Sequence, residues 1–187
     1  MKVSRAQAEE NRERILDNAA QLFREHGFDG IGLNDLMQSA GLTRGGFYGH
    51  FESKDDLAAQ ATRRAMQVNR KQWKKQTDRS LQAWVRTYLS DAHRDHFGAG
   101  CALVALAGDA ARGGSAVKQV FADGVASLAA TLQAQMPADA PAEQREQALV
   151  MLSTLVGAVL LSRAVGDSEL SRELREAAHK HLPAGGR

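Results

Sequence analysis

The chain has 187 residues, 43% of them hydrophobic, 25% charged and only 5% aromatic, with a formal net charge of +2. That apolar share supplies a core and excludes a disordered tail. The single cysteine, Cys101, excludes an intrachain disulfide and a four-cysteine zinc module. Residues 1–79 hold 14 Lys/Arg against 11 Asp/Glu, and residues 80–187 hold 10 against 11. So small a basic excess does not by itself announce a polyanionic partner.

Alanine supplies roughly a sixth of the chain, β-branched residues are sparse, and the three prolines (Pro137, Pro141, Pro183) leave residues 1–136 uninterrupted. These features predict an all-α fold. Met1-Lys2-Val3-Ser4-Arg5 leads into charged residues, so no secretory leader is expected. The longest uncharged apolar-rich stretch, Ala148 to Ser162, is 15 residues, short of the roughly 20 a spanning helix needs. It reads as a buried helix of a cytoplasmic protein with no membrane contact.

Taken in order, residues 9–26 form a helix with Ile15, Leu16, Ala19, Leu22 and Phe23 on one apolar stripe, closed by Gly27. A short helix spans Leu33–Ala40, Gly41 breaks the chain, and Thr43 caps a third helix over Thr43–Tyr48. Ser53 caps a longer helix running to about Asp78, with Asp55 and Asp56 in its first turn and Leu57, Ala61, Ala65, Val68 and Trp73 inward. Further helices are expected over Leu81–His96, Leu103–Ala111, Ala116–Gln135, Ala142–Val165 and Glu169–Leu182. Gly98-Ala99-Gly100, Gly113-Gly114, Pro137 to Pro141 and Gly166-Asp167 punctuate them, and a Pro-Ala-Gly-Gly tail follows.

The two short helices flanking Gly41 form a helix-turn-helix, with Leu42 plugging the angle between them. Such a unit places its second helix in the DNA major groove. Thr43 and the first backbone amides suit a phosphate, and Arg44 can contact guanine O6 and N7 in bidentate fashion. Tyr48, His50 and Lys54 can reach phosphates. Gly45-Gly46 costs about 1 kcal/mol per residue against alanine in a helix. It reads either as room for close backbone approach to DNA or as a loose, partly 3₁₀ turn.

Phe28-Asp29-Gly30 and the run from Gly41 through Phe47-Tyr48-Gly49-His50-Phe51-Glu52-Ser53-Lys54-Asp55-Asp56-Leu57 closely resemble the amino-terminal domain of TetR/AcrR-family transcriptional repressors. The resemblance covers about residues 9–60, with a weaker echo of the family's dimerising helices from Leu155 to Ala164. It implies a homodimer on a palindromic operator, and a carboxy-terminal ligand domain whose occupancy releases the DNA. It also implies DNA contacts at Thr43, Arg44, Gly45, Tyr48, His50 and Lys54. Two positions depart from the family pattern. Ile31-Gly32 stands where hydroxyl residues usually offer a phosphate contact, leaving only backbone amides there. Met37 stands where alanine is usual.

Several features of the second half admit two readings. The run Arg63, Arg64, Arg70, Lys71, Lys74, Lys75 resembles a nucleic-acid stripe. Lys71, however, lies roughly 25 Å along the helix from Lys54, beyond a Debye length of about 8 Å, so a solvated face is expected. His93 and His96, with Cys101, carry ligand-type side chains and define the competing class, a helical enzyme or metal-binding protein. No catalytic set is evident, so neither catalysis, a metal nor a cofactor is expected. Cys101 sits at a helix start, which lowers a thiol's pKa and favours sensing of thiol-reactive compounds; the plainer reading is a buried small hydrophobe.

Trp73, Trp84, Tyr88, Phe97, Cys101, Phe121 and Met151, with Met136, are candidate lining for an apolar ligand cavity. Leu149, Leu152, Val156, Val159 and Leu160 make one helix apolar on most sides. With Leu170 and Leu174 they suit an intersubunit four-helix bundle. The expected organisation is a DNA-binding unit over residues 1–54 and a ligand-binding, dimerising unit over residues 55–187.

Overall fold

In the computed structural model, residues 4–78, 80–136 and 141–182 are described, and among them every regular element is helical. The helices are α1 Arg5–His26, α2 Leu33–Ser39, α3 Lys54–Thr77, α4 Leu81–Tyr88, α5 Asp91–Asp95, α6 Ala102–Arg112, α7 Ser115–Gln133, α8 Pro141–Ala164 and α9 Glu169–His181. A 3₁₀ segment, Arg44–Gly49, lies between α2 and α3. Residues 137–140 of the proline-bounded break, Pro183 and the Pro-Ala-Gly-Gly tail lie outside the described residues.

Serine sets where five helices begin. Ser4, Ser53, Ser80, Ser90 and Ser168 each accept a hydrogen bond from the backbone N–H three residues on, starting α1, α3, α4, α5 and α9. At α3 the cap is reciprocal: Asp56 N–H donates to Ser53 Oγ at 3.0 Å, and Glu52 N–H donates back to Asp56 Oδ2 at 3.2 Å. Two boundaries differ from the sequence expectation. Cap Ser4 starts α1 at Arg5 rather than near residue 9. The single helix expected over Leu81–His96 is split at Leu89-Ser90, because Ser90 caps a new helix and His93 Nδ1 takes the Tyr88 carbonyl at 2.5 Å.

Two apolar cores run through the molecule. The first joins α1, α2 and the start of α3 to Ala102, Leu106 and Ala110 of α6 and to Val117 and Val120 of α7. The second gathers α4, α8 and the other ends and faces of α6 and α7 around Trp84, Met151 and Leu155. Helix α6 therefore wedges between them, with Ala102, Leu106 and Ala110 toward one core and Leu103 and Val104 toward the other. The first core does not close at residue 54, since Leu57 to Ala65 and α6 belong to it. Val68, expected inward, is instead exposed.

Helix α8 is 24 residues long with a mean hydropathy of 1.6 in its most apolar window, enough by length and composition to cross a membrane. Ala148, Met151, Leu155, Ala158 and Val159 pack it into the second core instead. The α8–α9 contact is sealed by a buried reciprocal pair: Ser162 Oγ donates to the Ser171 carbonyl at 2.9 Å, and Ser171 Oγ donates to the Ser162 carbonyl at 3.1 Å.

A candidate nucleic-acid interface and an inner cavity

The reading surface is built from the turn outward. Gly41, with φ +70°, closes α2 in the left-handed region that glycine enters without strain. Its N–H donates to the Gln38 carbonyl and that of Leu42 to the Met37 carbonyl, both at 2.9 Å. Asn18 of α1 donates from Nδ2 to the Ser39 carbonyl at 2.7 Å, pinning the end of α2. The following segment is 3₁₀ rather than α, as the double glycine allows, and Thr43 precedes it without making a side-chain cap. Thr43's expected capping role is thereby corrected. Its hydroxyl is exposed and uncommitted.

Phe47 and Phe51 are buried with ring centroids 5.7 Å apart and anchor the segment to the first core. Around that anchor Thr43, Arg44, Gly45, Gly46 and Tyr48 face outward, and His50 and Lys54 are half-buried beside them. Tyr48 is 70% exposed while its ring edge rests on Phe47 at 5.2 Å. All six residues expected to contact DNA are thus exposed or half-buried within one short stretch. A Cβ on Gly45 or Gly49 would meet nothing within 4 Å, so no internal contact requires glycine there. Gly46 faces Met37 Cε at 3.8 Å from its Cβ direction, so the fully buried Met37 fills space beside a residue that has no side chain. Gly32 begins α2 without a side-chain cap, leaving backbone amides at that helix start.

A cavity of about 240 Å³ lies between α3 and α7. Of the seven residues expected to line it, only Trp73 and Cys101 do so. Trp84 and Tyr88 stand behind Trp73, with centroids 6.1 and 5.6 Å from it, and Met151 is buried in the second core. Met136, Phe121 and Phe97 are likewise absent from its lining. Phe121 packs between the two cores, and Phe97 lies on the outer surface under the Arg163 guanidinium at 4.3 Å. Arg63, Met66, Gln67, Asn69 and Arg70 of α3, missed in the sequence, line it instead. Their spacing of three, four and seven residues is the signal that one helix face carried.

The basic run accordingly divides. Arg64 pairs with Glu13 and with Asp17, Lys74 pairs with Asp78 at 3.4 Å, and Arg63 and Arg70 turn to the cavity.

The His93/His96/Cys101 cluster is structural. His93 Nδ1–H donates to the Tyr88 carbonyl, and Nε2 accepts from the Cys101 N–H at 2.9 Å, which fixes a neutral tautomer. His96 Nδ1 is taken by the Ala92 carbonyl at 2.6 Å. Among the described residues no three ligand-type side chains converge on a metal-sized site. Burial lowers the His93 pKa, with the nearby Arg163 charge adding to it against the Tyr88 bond. Cys101 heads α6, yet its thiol is wholly buried, and burial pushes it up rather than down. The helix-start expectation is overturned by desolvation.

On the far side, Leu149, Val150, Leu160, Leu161, Val165 and Leu170 are exposed along α8 and the start of α9. Val156 and Leu174 are half-buried beside them. Leu152 and Val159, expected in the same apolar face, point into the protomer's own core. They back the exposed stripe without lining it.

Comparison with known proteins agrees with this geometry. Residues 15–61 match the family described as bacterial regulatory proteins, tetR family. Residues 78–179 match the transcriptional regulator LmrA/YxaF-like carboxy-terminal domain. The HTH-type transcriptional regulator AcrR of Shigella flexneri is 41% identical over 54 residues, 29% of this chain and 25% of that protein. The biofilm operon icaADBC HTH-type negative transcriptional regulator IcaR of Staphylococcus aureus (strain Newman) is 36% identical over 52 residues, 28% of each chain. These matches span about a quarter of the relatives' length. A TetR-family transcriptional regulator from Cytophaga hutchinsonii shares the fold over 96% of both chains, with a TM-score of 0.76 at 21% identity. With both halves matched, the chain belongs to the TetR family of bacterial transcriptional regulators.

Proposed function

We propose that the chain is a cytoplasmic, ligand-responsive homodimeric repressor that binds a palindromic operator and is not an enzyme. Residues 1–54 dock on DNA, and residues 55–187 dimerise and hold the inducer. One observation carries the reading: Thr43, Arg44, Gly45 and Tyr48 are exposed and His50 and Lys54 half-buried in a short segment anchored by buried Phe47 and Phe51. Rigid mounting and exposed donors are what groove readout requires. The similarity to a negative regulator, IcaR, supports repression.

The exposed stripe of α8 and α9 supports a second copy as its partner, because six large apolar side chains on two adjacent helices exceed what a monomer's surface usually shows. A two-fold dimer sets its two reading segments about one helical turn of DNA apart, or multiples of roughly 34–36 Å. Helix α3 starts at Lys54 beside the reading surface and lines the cavity from Arg63 to Trp73. A small, largely apolar inducer pivoting α3 therefore shifts the population toward a spacing the operator does not match. The buried, raised Cys101 thiol supports an inducer held non-covalently over a thiol-reactive one.

Fluorescence anisotropy of the DNA flanking the chain's own gene, titrated at several salt concentrations beside unrelated DNA, tests the reading. Selective binding with a steep salt slope is expected. Binding equal to the control, together with failure to select any sequence from random DNA, would overturn it.

A further inference from the structure

We infer that the cavity between α3 and α7 selects a small aromatic anion, a bicyclic carboxylate in size and charge; this rests on the proposal that the cavity is the inducer site. Its inner wall is apolar, with Met66, Trp73, Leu103, Val120 and Leu128. A volume of about 240 Å³, somewhat below the roughly 300–1,000 Å³ of drug-sized sites, suits a compact ligand of about two fused rings.

The polar groups are of one kind where it matters. Asn69 is 2% exposed, and its Oδ1 accepts from the Ala102 N–H at 3.0 Å. That bond fixes the amide's orientation beside the cavity. At the mouth Arg63 and Arg70 stand two turns apart on α3 with Gln67 between them, and neither guanidinium has an ion-pair or hydrogen-bond partner among the described residues. The facing helix α7 offers one carboxylate, Asp123, already engaged by Gln119 Nε2 at 3.0 Å, with Ser127 and Thr131 beyond it. Two free cations against one occupied anion leave the mouth positive. A ligand carboxylate there gains charge-assisted, bidentate hydrogen bonds. A cationic ligand would meet two like charges.

The test titrates the full-length protein with 2-naphthoate, neutral 2-naphthamide and cationic 2-(aminomethyl)naphthalene, following tryptophan fluorescence and calorimetry. The naphthoate should bind about tenfold tighter than the amide, with the amine weakest. The double variant Arg63→Gln/Arg70→Gln should remove that tenfold preference and leave amide affinity within about twofold. Equal or tighter binding of the amide or amine would overturn the anion selectivity. So would a naphthoate preference that survives in the double variant. Neutral N-phenyl-1-naphthylamine separates the two levels. If it binds while 2-naphthoate does not, the anionic class is wrong and the ligand site stands. If none of the four compounds binds, both fall.

Discussion

Arg24, in the last turn of α1, donates from Nη1 to the Gly100 carbonyl at 3.2 Å while its Nε holds the Ala20 carbonyl at 2.8 Å. Two residues along the chain, the Ala102 N–H is held by Asn69 of α3. Helices α1 and α3, on either side of α2 and the 3₁₀ segment, thus both grip the entry to α6, where Cys101 and Ala102 form cavity wall. A packed interior transmits displacement and does not absorb it. The cavity wall at the start of α6 is therefore tied directly to both α1 and α3.

Gly45 offers a separation of folding from binding. Its Cβ direction is open, and its backbone is not in the left-handed region. Gly45→Ala should leave the unfolding midpoint unchanged or raise it, with up to about 1 kcal/mol gained from the lost backbone entropy of glycine. DNA affinity should fall by about 1 kcal/mol or more, the scale of one contact. Urea melts beside anisotropy titrations check both numbers, and unchanged DNA affinity would show that the open glycine serves no close approach.

Arg44 is exposed and without an ion pair among the described residues. Arg44→Ala should cost about 1–3 kcal/mol at a single base position and relax selectivity there, with little effect on stability. Binding to a panel of single-base operator variants reads this directly. A uniform loss across the panel would assign Arg44 to phosphate instead.

Cys101 is buried beside Tyr88, and burial holds the thiol protonated. Ellman's reagent should react about a hundredfold more slowly with the native protein than with the urea-unfolded chain, because the thiolate is the nucleophile. Cys101→Ser should leave any electrophile-driven DNA release intact. Fast labelling of the native protein, or release lost in that variant, would make the thiol a sensor.

What the sequence disclosed and what it hid follow from the range of the forces involved. Caps and breaks are local, so Ser53, Gly27, Gly41 and Gly166 marked real boundaries. The candidate interface lies within a dozen consecutive residues, so its exposed members could be named together. The cavity is made by α3 meeting α7, more than fifty residues away. Periodicity identified Trp84, Tyr88 and Met151 as inward without telling core from cavity wall. Arg63 and Arg70 are exposed, as the solvated-face reading expects, but nothing in their own helix shows that a cavity opens beside them. Ser90 escaped notice because a serine inside an apolar period looks like helix interior until His93 and Tyr88 close around it.

That closure has a pH signature. His93 is neutral in the folded protein, with burial the main cause of its lowered pKa and the Arg163 charge a further one. In the unfolded chain it titrates near 6.5. The unfolded state therefore binds a proton first as pH falls, and stability is full above about 6.5 and declines below it. Each tenfold depression of its proton affinity is worth about 1.4 kcal/mol once pH lies below both values. Urea melts of the native protein between pH 7.5 and 5.5 should show this decline. His93→Gln should be less stable at pH 7.5, having lost the fixed bridge from the Tyr88 carbonyl to the Cys101 N–H, but should show a shallower slope across the same window. Equal slopes in the two proteins would mean that His93 carries its proton in the fold, and the neutral bridge would be wrong.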